Sequence, residues 1–209
     1  MSARIKICGL TRAEDARVAA GLGVDAVGVV LWPGSPRAAT LEQAAAVSAA
    51  VPPTTMRVGV FVRPTLDEIA TAIAAAGLTA VQIHGADDPA PYRDLPVPVI
   101  WAAALREGAP VPVTPDRMTL LLDAYDPVQH GGTGRTIDWS RAHTVALREP
   151  RLILAGGLTP DNVAHAVAAV RPWGVDVSSG VETAPGIKSP ACMQAFVAAV
   201  RRVPTSTFV

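Results

Sequence analysis

The sequence predicts a single-domain α/β fold, a (β/α)8 TIM barrel of the phosphate-binding type spanning residues 1–209. Three observations carry this expectation. Eight short runs are almost continuously apolar, as in Val58, Val60, Phe61 and Val62, the pattern of parallel strands covered on the outside by helices. Helix-sized intervals separate these runs with one exception, and eight alternations in about 200 residues suit a small closed barrel. A GxGxxG fingerprint after the first strand is absent, which turns the choice away from a doubly wound open sheet.

In chain order, the first strand covers residues 5–8 and is followed by Gly9-Leu10-Thr11 and an acidic, alanine-rich helix over 12–22. Thr11 stands as its N-cap, with Glu14 three residues later in capping-box position. Further strands are expected over 26–31, 57–62, 80–84, 97–102, 119–123, 152–155 and 175–178. Helices are expected over 41–50, 66–76, 89–94, 139–147, 160–170 and 189–202. The exception falls between the fifth and sixth strands, where Pro110, Pro112 and Pro115 replace a regular helix 5 with a proline-rich loop. Residues 204–209 read as a frayed tail. The 17 glycines and 19 prolines are spread along the chain and act as punctuation between short elements.

Composition narrows the function. The 18 basic groups cancel the 18 acidic ones, so the charge footprint of a nucleic-acid or membrane-surface partner is missing. Half of the residues are apolar and the mean hydropathy is +0.32, enough to bury one substantial core. Cys8 and Cys192 cannot build a disulfide framework or a four-ligand zinc site, and Lys6 and Lys188 are the only lysines available to a Schiff-base mechanism. The longest apolar run, near 26–32, is far short of a membrane span. No signal-peptide pattern follows Met1, so a cytoplasmic location is expected.

A barrel gathers its chemistry at the C-terminal ends of its strands. Residues ill suited to a core recur there: Cys8, Arg37, His84, Asp123, Gly156-Gly157, and Asp176 with Ser178-Ser179-Gly180. Strand alternation puts Lys6 and Cys8 on the inward face, opposite Ile5 and Ile7; Leu121 and Asp123 share a face, and Asp176 opposes Val175 and Val177. Ionisable groups converging inside one barrel are costly unless paired or used. The glycines after strands seven and eight free backbone amides for a phosphate, with tight turning as the bland alternative. Gly131-Gly132-Thr133-Gly134, in the long loop over 124–138, reads as a lid over the mouth. Cys192 reads as structural, Asp87-Asp88 before Pro89 as a helix start, and Arg201-Arg202 as a solvated helix end.

Six segments taken together are more specific than any one. Lys6-Ile7-Cys8-Gly9-Leu10-Thr11, Val58-Gly59-Val60-Phe61-Val62, Val81-Gln82-Ile83-His84-Gly85, Gly131-Gly132-Thr133-Gly134, Gly156-Gly157-Leu158 and Asp176-Val177-Ser178-Ser179-Gly180-Val181-Glu182 occur in order. In this the chain resembles the phosphoribosylanthranilate isomerases of tryptophan biosynthesis, from Arg4 to about Arg202. The resemblance implies an Amadori rearrangement of N-(5-phosphoribosyl)anthranilate to 1-(2-carboxyphenylamino)-1-deoxyribulose 5-phosphate, with no metal and no cofactor. It implies Cys8 as general base and Asp123 as general acid. Arg37 would hold the anthranilate carboxylate; Gly156, Gly157, Ser179 and Gly180 would hold the phosphate. Asp176 takes a supporting role and His84 a hydrogen-bonded place on the rim. A thiol acting as base must be shifted toward thiolate, and the inward Lys6 is the group placed to do this. Asp123 must keep its proton near neutral pH, helped by apolar surroundings or a neighbouring anion. The partner is a small phosphoribosyl compound, and the chain is a monomer or a homodimer. Two alternatives stand beside this reading: a histidine-pathway or bifunctional phosphosugar isomerase, whose paired aspartates Cys8 does not match, and an inactive phosphosugar-binding barrel.

Overall fold

Hydrogen bonding closes the chain into one ring of eight strands. The computed structural model describes residues 2–105, 113–124 and 138–204. Strands β1 (Arg4–Ile7), β2 (Ala26–Val30), β3 (Met56–Val62), β4 (Ala80–His84), β5 (Val99–Leu105), β6 (Thr119–Ala124), β7 (Ile153–Leu154) and β8 (Gly174–Val177) follow one another around the barrel. Every neighbouring pair is parallel, and the ring shuts where β1 pairs β8 with Lys6 opposite Asp176 and Ile7 opposite Val177. Helices α1 (Ala13–Gly21), α2 (Leu41–Ala49), α3 (Leu66–Ala76), α4 (Trp139–Ala146), α5 (Val163–Val170) and α6 (Pro190–Arg201) accompany the strands.

Period-two alternation divides the core into two layers. Ile5, Ile7, Leu120, Leu122, Val175 and Val177 face outward and pack with helix residues such as Met193 and Phe196. Cys8, Ala26, Val58, Val60, Ala80, Ile100, Leu121 and Ile153 fill the inside of the barrel. Local capping sets where the helices start. Thr40 with Gln43 and Thr65 with Glu68 form complete capping boxes before α2 and α3, while Asp138 and Ser189 cap α4 and α6.

Several boundaries differ from the expectation, each for a local reason. Thr11 does not cap α1. Its hydroxyl donates to Gly186 O at 2.7 Å, and the cap position falls to Arg12, which makes no side-chain capping bond. The segment over 89–94 is only a 3₁₀ turn, Ala90–Tyr92, because two prolines and Asp88, whose carboxylate accepts from Ala90 N, hold it to a tight bend. Strand β5 runs two residues later than expected at its start and three later at its end, continuing through Ala102-Ala103-Ala104-Leu105 to pair with Asp123 and Ala124. Helix α5 begins at Val163, since Asn162 spends its amide on the preceding turn, accepting from Thr159 N and donating to Gly157 O. An antiparallel hairpin that the sequence reading did not include, β9 (Glu182–Ala184) and β10 (Ile187–Lys188), follows β8. Residues 113–118 contain no helix, consistent with the proline-rich replacement of helix 5. The rest of that loop, the glycine-rich lid over 131–134 and residues 205–209 of the tail lie outside the described residues. Among the described residues no helix is long and apolar enough to cross a membrane.

Candidate active site

Strand β1 delivers two of the expected residues to one place. Lys6 and Cys8 are buried, at 4% and 6% exposure, and both reach toward Gly28 on β2. A Cβ on Gly28 would lie 2.8 Å from Cys8 Sγ and 3.0 Å from Lys6 Nζ, so the missing side chain makes the space in which thiol and ammonium meet. Lys6 Nζ donates to Asp176 Oδ1 at 3.0 Å across the β1–β8 seam, where their Cα atoms are paired. The inward placement of Lys6, Cys8 and Asp176 is as the alternation predicts. Lys6 and Asp176 solve the cost of burying charge by pairing.

The electrostatic consequence for Cys8 differs from the expectation. Burial pushes the thiol up, Lys6 pulls it down and Asp176 pushes it up again, and the balance stands above the ordinary thiol value. Lys6 therefore limits the rise without reversing it. Burial lowers Lys6 itself, but Asp176 and Cys8 outweigh that and hold the ammonium above its usual range.

A second charged group lies beside this one. Arg37, from the loop after β2, presents Nε and Nη2 to the Glu182 carboxylate in a two-pronged contact of 2.8–3.1 Å. Glu182 also accepts from Lys188 Nζ at 2.7 Å and from Gly186 N at 3.2 Å. Lys188 is fully buried and donates in addition to Ser178 O. Burial alone would raise Glu182, yet Arg37 and Lys188 hold it below the usual carboxylate range. Burial lowers Lys188 against the opposing pull of Glu182. The hairpin that carries these groups is sewn to the β1–α1 segment by Thr11 to Gly186 O and by Lys188 N to Asp15. Gly9, at φ +70°, allows the close approach, since a Cβ there would strike Arg37 Cδ and Ser178 Oγ, each at 2.7 Å. Sequence reasoning missed Glu182 and the role of Lys188; the signal was the Glu182 that ends the Asp176-to-Glu182 segment.

The glycine turns after β7 and β8 touch. Gly156 and Gly157 have φ of 87° and 61°, and Gly157 O is held by Asn162. A Cβ on Gly180 would fall 1.9 Å from Leu158 O, so the two turns can lie together only because residue 180 has no side chain. Ser179–Val181 adds a single 3₁₀ turn there. Gly180→Ala should push these turns apart, lowering the midpoint of thermal unfolding by the equivalent of about 1–3 kcal/mol of overpacking. It should also weaken inorganic phosphate as a competitive ligand, and an alanine variant that keeps both properties would separate Gly180 from the anion site.

Asp123 is on the inward face near the end of β6, partly exposed and paired with Ala104 of β5. His84, the last residue of β4, is buried at 9% exposure. Its Nε2 lies 2.7 Å from the Gln82 side-chain amide, a buried hydrogen-bonded pair. Gln82 Oε1 is buried with no partner among the described residues. Cys192 is half-buried on α6, away from this arrangement.

A closed parallel barrel that gathers a thiol, paired ions and twin glycine turns at the C-terminal end of its strands defines an enzyme of the phosphate-binding (β/α)8 class. Comparison with known proteins narrows the class. Residues 5–199 match the family described as N-(5'phosphoribosyl)anthranilate (PRA) isomerase, and the chain belongs to that family. The N-(5'-phosphoribosyl)anthranilate isomerase of Chromohalobacter salexigens is 48% identical over 201 residues, covering 94% of this chain and 93% of that one. The crystal structure of phosphoribosyl anthranilate isomerase from Thermotoga maritima is 36% identical with a TM-score of 0.84, covering 96% of this chain and 99% of the other. A phosphoribosyl anthranilate isomerase in complex with reduced 1-(o-carboxyphenylamino)-1-deoxyribulose 5-phosphate is 34% identical, with a TM-score of 0.80 and coverage of 96% and 99%.

Proposed function

We propose that this chain converts N-(5-phosphoribosyl)anthranilate to 1-(2-carboxyphenylamino)-1-deoxyribulose 5-phosphate, the isomerisation of tryptophan biosynthesis, with Cys8 as base and Asp123 as acid. The observation that carries the residue roles is the meeting of the Cys8 thiol and the Lys6 ammonium over Gly28, inside the end of the barrel that bears the glycine turns. Asp123 gives its proton to the ribose ring oxygen as the C1–O bond breaks, and the nitrogen lone pair forms the C1–N double bond of a Schiff base. Cys8, as thiolate, takes the proton from C2, and the C–H electron pair shifts to give an enolamine. Loss of the proton on the C2 hydroxyl and protonation at C1 give the aminoketose, so atoms and charge balance with no external oxidant or reductant. Gly156, Gly157, Ser179 and Gly180 hold the phosphate through main-chain amides. Arg37 holds the anthranilate carboxylate, Asp176 supports Cys8 through Lys6, and His84 with Gln82 lines the wall opposite. The relative crystallised with a reduced phosphorylated carboxyphenylamino ligand supports a substrate of this class.

The deciding experiment is the decay of phosphoribosylanthranilate fluorescence on addition of the purified protein, with the histidine-pathway substrate run alongside. No decay refutes the activity; turnover of both substrates favours the bifunctional alternative.

The direction of the Cys8 shift adds a pH dependence. Because the thiol lies above its ordinary value, the thiolate fraction and kcat/KM should rise with pH from neutral into the alkaline range. Lys6→Gln removes the cation that pulls the thiol down, so the rising limb should move to still higher pH. A limb that stays in place would show that Lys6 does not tune Cys8.

A further inference from the structure

Arg37 cannot offer an arriving carboxylate the side of its guanidinium that Glu182 already holds. Glu182 is bonded by Nε and Nη2. A guanidinium has one lateral edge made of those two nitrogens and one end edge made of the two Nη nitrogens. Filling the lateral edge fixes the plane of the group, and the bonds to Glu182 leave Nη1 unused. The cluster is dry: the side chains of Arg37, Glu182 and Lys188 are 10%, 5% and 0% exposed. It holds two cations and one carboxylate, and the neighbouring Lys6–Asp176 pair is already neutral, so one positive charge is left for a bound anion.

We propose that Glu182 is a positioning residue for substrate recognition: it clamps the lateral edge of Arg37, with Lys188 and Gly186 N fixing the clamp from behind, and so aims the end edge at the carboxylate on the aromatic ring. This rests on the assignment of Arg37 to that carboxylate. Lys188 ties the clamp to Ser178 O, the residue before the 3₁₀ turn at the phosphate end. One hairpin therefore sets the distance between the two anion-holding ends of the site. The substrate class that fits is a phosphosugar amine bearing an ortho-carboxylated ring, recognised at both ends at once.

The test uses two ligands, reduced 1-(o-carboxyphenylamino)-1-deoxyribulose 5-phosphate and the same compound without the ring carboxylate. Glu182→Asp keeps the charge and shortens the reach by one methylene. It should weaken the carboxylated ligand about tenfold, as expected for a displaced charge-assisted contact, and leave the decarboxylated one within about twofold. KM should rise more than kcat falls. Arg37→Ala is the reference: it should show the same selectivity more strongly, and adding Glu182→Asp to it should change nothing further. Glu182→Gln, which keeps the volume and loses the charge, provides the same comparison should the aspartate variant not fold. Equal weakening of both ligands, or no weakening of either, overturns the proposal. If Arg37→Ala is selective and neither Glu182 variant is, only the clamp fails. If Arg37→Ala itself does not distinguish the ligands, the carboxylate assignment fails and the clamp with it.

Discussion

Cys8→Ala should leave a folded barrel that still binds the reduced product but isomerises substrate about 10²–10⁴-fold more slowly, the range a positioned base contributes. The fold is expected to tolerate the change because Cys8 belongs to the inner layer, where alanine is already used at Ala26, Ala80 and Ala155. Only the sulfur is lost, and with it the atom that lies over Gly28 beside Lys6. Cys8→Ser restores a hydrogen-bonding group of similar size but a far weaker acid, so it should not restore turnover. Stopped-flow fluorescence gives the rate, and titration with the reduced product gives the affinity. Turnover near that of the parent in either variant would place the base on another residue.

The features of this site that were legible in the sequence are those that depend on a short-range rule. Alternation along a strand has a period of two, so Ile5 and Ile7 pointing out already require Lys6 and Cys8 to point in, and the same count orients Leu121 and Asp176. The glycine turns were legible because positive φ and close approach demand glycine; Gly156, Gly157 and Gly180 each meet one of these conditions. The closed topology followed from counting alternations, which needs no exact boundaries.

What stayed hidden depends on partners far apart in the chain. Thr11 has the right neighbours for a capping box, yet its hydroxyl is taken by Gly186, 175 residues away. Glu182 and Arg37 are separated by 145 residues, and only folding shows that the arginine's lateral edge is spent. The β9–β10 hairpin was missed because its strands are three and two residues long, too short to leave a periodic signal. The sign of the Cys8 shift was hidden for a quantitative reason. The sequence shows an ammonium two residues away, but not that burial costs the thiolate more than this ammonium returns.

Asp123→Asn should slow turnover by a factor similar to that of Cys8→Ala, but at a different step, and that difference can be measured. Asp123 lies on the inner face of β6 with Ala104 beside it on β5, while Ala155, whose amide bonds Leu122 O, continues the neighbouring strand. The strand neighbours on both flanks are alanines, so neither adds bulk beside the carboxyl. Asparagine keeps the shape but has no acidic proton to give, so ring opening should become the slowest step. Proton removal from C2 then no longer controls the rate, and a C2-deuterated substrate should show an isotope effect close to unity. In Cys8→Ala the reverse holds: C2–H cleavage becomes slower still, and the isotope effect should stay large or grow. Two variants with equal losses of rate and opposite isotope effects would assign acid and base separately. An Asp123→Asn enzyme with parental turnover, or one retaining the full C2 isotope effect at reduced rate, would remove Asp123 from the ring-opening step.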